Sequence, residues 1–151
     1  MTAKSLRLVA QDEEDLKILS AHLQDAILRV SDLTYLPRQR RFALVLNRYC
    51  WEGCDENALG TRVLCGLHFD DVLAVKSRGL ARDDATAMAQ LLAIRFVPGE
   101  DGGGGIELLF AGGAQVRLDV ECIAAGMSDL TDQWPAAARP AHALDEAGET
   151  G

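Results

Sequence analysis

The sequence predicts one α+β domain: a bent antiparallel sheet or small barrel of six to seven strands, with one helix after the first strand and another at the C-terminal end. Most segments alternate apolar and polar residues, which is the pattern of a strand with one buried face. Short turn-forming segments separate them, so neighbouring strands should be antiparallel. Two segments instead repeat apolar residues at steps of three and four, as amphipathic helices do.

The first strand and the first helix are predicted near the N-terminus. Leu6–Ala10 is a short apolar run typical of a strand. Asp12 is a suitable N-cap, and Glu13, Glu14 and Asp15 follow it where the helix dipole favours negative charge. We therefore predict a helix over residues 12–29. Its apolar stripe comprises Leu16, Leu19, Leu23, Ala26, Ile27 and Val30.

Strands are predicted through the middle of the chain. A hairpin is expected around the turn Pro37–Arg40, and a second one around the Gly-Gly pair at 112–113. The segments at 62–69 and 72–76 form either one long strand bent at Asp70-Asp71 or two separate strands. Four consecutive glycines, Gly102–Gly105, predict a flexible loop. The predicted strands are Leu33–Leu36, Arg41–Trp51, Arg62–Phe69, Val72–Lys76, Leu91–Val97, Ile106–Phe110 and Val116–Val120.

The last predicted element is a capping helix. Ile123, Met127, Leu130 and Trp134 follow one another at steps of four, three and four, and Pro135 would stop the helix. The remaining residues are rich in Ala, Pro, Gly and acid, a composition that does not support a packed core. We therefore expect a single domain over residues 1–134 and a disordered tail over residues 135–151.

This order of elements resembles the pleckstrin-homology superfold, in which a helix caps a seven-strand barrel. The helix after the first strand departs from that topology. The alternative is an open antiparallel sheet with both helices on one face.

Composition limits the classes of partner. The 151 residues carry a net charge of −8, so the chain repels phosphate backbones and duplex nucleic acid is not expected. No apolar run is long enough for a membrane span or a signal peptide. A cytoplasmic protein is expected, and the sequence leaves its oligomeric state open.

Three stretches resemble a family of small uncharacterised alphaproteobacterial proteins. They are Arg41–Glu52 (RFALVLNRYCWE), Leu67–Leu80 (LHFDDVLAVKSRGL) and Val116–Trp134, and the similarity extends over about residues 5–135. Because the family is one of unknown function, the resemblance implies no activity, cofactor or site residue.

The residues capable of catalysis or metal binding are not expected to converge. Cys65 is three positions from His68, so on a strand the two side chains point to opposite faces and cannot form a nucleophile–base pair with Asp70. The same parity argues against zinc at Cys50, Cys54, Cys65 and His68. The glycine run leads into a strand rather than a helix, which argues against a phosphate cradle. We predict no catalytic residue, metal or cofactor.

One locally basic hairpin is the candidate binding surface, because planar guanidinium groups suit carboxylate or phosphate ligands. A binding role predicts that Arg38, Arg40 and Arg41 are exposed and mostly unpaired. The alternative is a solvated turn in which Arg48 pairs with Glu52 or Asp70. The candidate ligand-binding residues are Arg38, Arg40, Arg41, Arg48, Tyr49 and Trp51.

The sequence thus favours a non-catalytic binding or protein-interaction module whose partner is a protein or an anionic ligand such as an acidic peptide. The alternative is a small enzyme or small-molecule-binding protein whose site forms only in three dimensions or across a dimer. A deep pocket lined by His68, Asp70 or several arginines would favour that alternative.

Overall fold

The structure of the protein, a computed structural model, describes residues 6–50, 61–81, 83–100, 102–130 and 134–135; for residues 49, 50, 61, 134 and 135 it describes the backbone. The described part of the chain contains one α-helix and eleven strands, the last of only two residues. These elements are β1 Arg7–Ala10, α1 Glu13–Leu23, β2 Ile27–Arg29, β3 Thr34–Leu36, β4 Arg41–Cys50, β5 Thr61–Phe69, β6 Val72–Arg78, β7 Met88–Pro98, β8 Gly104–Phe110, β9 Gln115–Val120, β10 Ala125–Asp129 and β11 Trp134–Pro135.

All strands pair antiparallel in one open sheet. Its order is β1-β10-β5-β4-β2-β7-β8-β9-β6, while β3 pairs with β4 and β11 with β5. The predicted fold class, a pleckstrin-homology-like α+β fold of six to seven strands with a C-terminal helix, is therefore wrong. The alternative of an open antiparallel sheet describes the pairing correctly, but its second helix is absent from the described residues.

The segment expected to form the C-terminal helix is strand β10. It lies between β1 and β5, with Met127 opposite both Leu8 and Leu67. As a strand, this segment provides hydrogen-bond partners for the backbone groups on the facing edges of β1 and β5. As a helix, the same segment would be weakened by Gly126 and Ser128. Ala125 and Met127 face the core but Leu130 is 56% exposed, so the helical spacing of the apolar residues was misleading.

The N-terminal helix begins as predicted and ends earlier. The N–H of Asp15 donates to Asp12 Oδ1 at 2.8 Å, which confirms the cap. The helix stops at Leu23, and Asp25 adopts φ 69, a left-handed conformation that turns the chain into β2. Residues 24–29 are thus not helical. The buried stripe of α1 consists of Leu16, Leu19 and Leu23.

The two predicted hairpins are confirmed as β3–β4 and β8–β9. A register shift in β7 between Leu91 and Ala93 leaves Leu92 exposed. One local expectation is wrong: the glycine run is not a flexible loop throughout, because β8 begins at Gly104, where an added Cβ would lie 2.3 Å from the carbonyl oxygen of Val97.

A corner at Asp70-Asp71 folds the sheet around its core. Here β5 ends and β6 begins, and Asp71 adopts φ 59. The N–H of Asp70 donates to Ala124 O at 2.7 Å, and the N–H of Glu121 donates to Asp71 O at 3.0 Å. The β5–β10 pair therefore continues into the β6–β9 pair. The inner side of the fold and α1 form one core, which leaves two outward faces: face A on β1, β10, β5 and β4, and face B on β6, β9, β8 and β7.

Candidate functional site

The basic hairpin does not present a set of unpaired arginines. Arg40 pairs with Glu121, and Arg41 Nε lies 2.7 Å from Asp70 Oδ1, a hydrogen bond that raises the pKa of Arg41. Arg38 is exposed and has no partner within the described residues. The expectation of unpaired arginines is therefore wrong for Arg40 and Arg41, and their role in ligand binding stays a prediction.

Arg48 lies on the inner side of β4, where its side chain is buried. Its Nε and NH2 groups each donate to one carboxylate oxygen of Asp129 at 2.9 Å, and both side chains are at most 3% exposed. The N–H of Leu6 also donates to Asp129 Oδ2, at 2.7 Å. The described partner of Arg48 is thus Asp129 and not Asp70, and the pair has a structural role; Glu52 lies outside the described residues. The side chains of Tyr49 and Trp51 lie outside the described part of the chain.

His68 is the central polar residue of face A. Its Nε2 lies 3.7 Å from Asp70 Oδ2, and the same carboxylate receives the two hydrogen bonds from Arg41. Gly126 makes room for the imidazole, since a Cβ there would lie 2.6 Å from Cε1 of His68. Cys65 is buried on the opposite face, where burial raises the pKa of its thiol. The strand parity thus separates Cys65 from His68, as predicted.

Two shallow grooves flank His68. One of about 310 Å³ runs along β1 and β10 and is also lined by His68 and Asp70. The other, of about 360 Å³, lies over β4 and β5, and both grooves share His68 and Ser128. Within the described residues Ser128 makes no hydrogen bond to His68. The cluster can bind a polar group, but it lacks an activated nucleophile.

Face B carries a row of cations that the sequence analysis did not find. Antiparallel register places Lys76 opposite Arg117, Arg117 opposite Glu107, and Glu107 opposite Arg95. Directly opposite residues point to the same side of a sheet, so these four side chains form one line across four strands. Arg78 lies two residues beyond Lys76 on the same face. We call Lys76, Arg78, Arg95 and Arg117 the basic row.

A single buried carboxylate orients two members of the basic row, Arg95 and Arg117. Glu107, whose side chain is 10% exposed, accepts from Arg95 Nε at 2.6 Å and from Arg117 NH1 at 3.3 Å. Arg117 also donates from Nε to Asp119 at 3.1 Å. Its guanidinium lies flat over Gly105, where a Cβ would come within 2.5 Å of it. The described side chains of face B thus combine four cations with two carboxylates, and so carry positive charge on an acidic protein.

Strand alternation alone would have placed these cations outward, because Arg117 stands between the apolar Val116 and Leu118. Their convergence required the strand order, which brings positions 76, 95 and 117 together from three separate strands. The cations of the hairpin, in contrast, are close along the chain and so are visible in the sequence.

Cys122 is an exposed thiol that lies beside the corner. Its thiol donates to Asp71 Oδ2 at 3.3 Å, and this hydrogen bond raises the pKa of Cys122. A thiol held protonated is a weak nucleophile. Among the residues described, no group of His, Cys, Asp and Glu could hold a metal ion, and no helix is long and apolar enough to cross a membrane.

The fold and its surfaces define an open antiparallel β-sheet domain with a His–Asp–Arg cluster on one face and a basic row on the other. The chain belongs to a family described as "Protein of unknown function (DUF2948)", whose model matches residues 6–142. The predicted membership of a family of unknown function is thereby confirmed, while the alphaproteobacterial origin stays a prediction. The chain has no significant match among curated proteins or among solved structures.

Proposed function

We propose that the protein is a non-catalytic binding module of the bacterial cytoplasm that recognises an acidic segment of a partner protein through the basic row. The observation that carries this proposal is the line of Lys76, Arg117, Glu107 and Arg95 across face B. In this row Lys76 and Arg117 stand one strand spacing apart, about 4.8 Å, and Arg95 lies two strands beyond Arg117 with Glu107 between them.

The basic row suits this role better than the hairpin does. Arg40 and Arg41 each have a carboxylate of their own, so their positive charge is neutralised locally. Arg95 and Arg117 are likewise matched by Glu107 and Asp119, but Lys76 and Arg78 have no ion-pair partner among the described side chains. Positive charge therefore remains on face B, and the net charge of −8 disfavours a longer polyanion such as duplex nucleic acid.

The expected affinity is modest. Exposed ion pairs contribute about 0–1 kcal/mol each, so the four cations together supply roughly 4 kcal/mol at most. That corresponds to a Kd of about 1 mM unless further contacts are made. Binding should also weaken as salt screens the exposed charges.

The test measures fluorescence anisotropy of a labelled Glu-rich peptide at low ionic strength, with a Gln-rich peptide as the neutral control. Lys76→Ala/Arg78→Ala should weaken binding of the Glu-rich peptide by roughly tenfold, about 1.4 kcal/mol. The matched control is Arg7→Ala/Lys17→Ala, which removes two exposed cations elsewhere. An equal loss in both double variants would mean that only net charge matters, and would contradict the proposal.

A second candidate function is a small enzyme or small-molecule-binding protein with its site at His68. The observation in its favour is the groove of about 310 Å³ beside the His68–Asp70–Arg41 cluster. Imidazole resonances recorded by NMR against a set of small carboxylates and amines test it. A ligand that shifts the His68 signal, and binds less tightly to His68→Gln, supports this function. No shift across the set counts against it.

A further inference from the structure

The strand beside the basic row is an edge of the sheet. β6 ends the strand order, and within the described ranges it pairs only with β9. On its other side the N–H of Val72 donates to Arg40 O at 2.9 Å, which occupies only the first residue of the strand. The other backbone groups on that side, up to Arg78, have no strand partner in the described structure. An edge of this kind is a template for a further strand.

The side chains along this edge differ in character. Lys76 and Arg78 are exposed on face B and Ser77 between them is exposed too, whereas Val75 points inward and packs against the core. A strand added next to β6 would place its alternate side chains about 4.5–5.5 Å from those of β6 on each face. Opposite Lys76 and Arg78 it would meet positive charge, and opposite Val75 it would meet apolar surface.

We propose that the acidic segment binds in extended form along the free edge of β6, with carboxylates opposite Lys76 and Arg78 and an apolar residue opposite Val75. This inference rests on the proposed function and names how that partner is bound. Backbone hydrogen bonds to β6 add contacts that ion pairs alone do not supply. The side chains of β6 also favour a peptide in which acidic and apolar residues alternate.

The other sheet edge is a poorer candidate. β1 has only four residues, Arg7–Ala10, and one cation. β6 has seven residues and two cations on one face. Lysine on an edge strand can also serve to prevent pairing with other strands. If the lysine only prevents pairing, the protein should bind two peptides of equal charge equally well. A difference in affinity that depends on the order of residues in the peptide therefore distinguishes strand binding from protection of the edge.

The test uses the full chain and two labelled peptides of the same composition, Val-Glu-Val-Glu-Val-Glu and Glu-Glu-Glu-Val-Val-Val. The alternating peptide should bind at least about fivefold tighter, roughly 1 kcal/mol, because it alone can pair each face correctly. It should also slow amide hydrogen exchange in β6. Lys76→Ala/Arg78→Ala should remove most of the preference, and an alternating peptide with N-methylated backbone amides should lose the protection.

Equal affinity for the two peptides without protection of β6 overturns the inference and leaves the proposed function standing. If neither peptide binds, the proposed function is contradicted as well. Protection of β6 in the free protein that increases with protein concentration would assign the edge to a second copy of the chain, and would also overturn the inference.

Discussion

Removing one member of the buried Arg48–Asp129 pair should strongly destabilise the fold. Asp129→Ala leaves the Arg48 guanidinium uncompensated at a site where the side chain is 3% exposed. Breaking such a pair costs about 3–5 kcal/mol. The N–H of Leu6 loses its acceptor in the same variant, so β1 is weakened together with β10.

For a chain of this length, 3–5 kcal/mol corresponds to a fall in Tm of roughly 6–20 °C. Urea titration and thermal melting followed by circular dichroism would measure both quantities. The control is Asp70→Ala, which removes the carboxylate of an exposed pair and should cost no more than about 1 kcal/mol.

The double variant Arg48→Met/Asp129→Leu distinguishes a net contribution of the pair from the penalty of a single unpaired charge. Since apolar residues of similar volume often replace buried ion pairs without loss, it should recover most of the stability. The reasoning is refuted if Asp129→Ala costs less than about 1 kcal/mol, or no more than Asp70→Ala.

Two further predictions concern local features. Gly104→Ala should lower the free energy of unfolding, measured by urea titration, by at least about 3 kcal/mol, because its Cβ would lie 2.3 Å from a backbone oxygen. Gly112→Ala, in open space at φ 86, should lower it by about 1–2 kcal/mol. Equal costs would show that β8 shifts to relieve the clash. Asp71→Asn removes the charged acceptor that raises the pKa of Cys122, so alkylation of Cys122 at about pH 8, followed by mass spectrometry, should accelerate. An unchanged rate would mean that the hydrogen bond does not control the thiol.

Features that depend on near neighbours in the chain could be predicted from the sequence. The Asp12 cap and the β3–β4 and β8–β9 turns are specified within a few residues. The separation of Cys65 from His68 also follows from alternation within one strand. Each of these inferences needed no knowledge of which strands are neighbours.

Features that depend on strand neighbours could not be predicted. Apolar residues at steps of three and four occur by chance in strands, and only the unpaired edges of β1 and β5 decide that residues 125–129 extend between them. Likewise, Arg48 and Asp129 are 81 positions apart, and nothing local marks them as partners. The basic row has the same origin, because its cations belong to strands that become adjacent only through the sheet order.

The pairing of β1 with β10 has a consequence for synthesis of the chain. Arg7 lies opposite Ser128, so the first strand made waits for a partner near the end of the described chain. At typical elongation rates of 5–20 residues per second, that delay is roughly 6–24 s. During this interval β1 can be held only by α1, with its backbone edge open to other nascent chains. The protein should therefore complete its fold only after residues 125–129 have been synthesised.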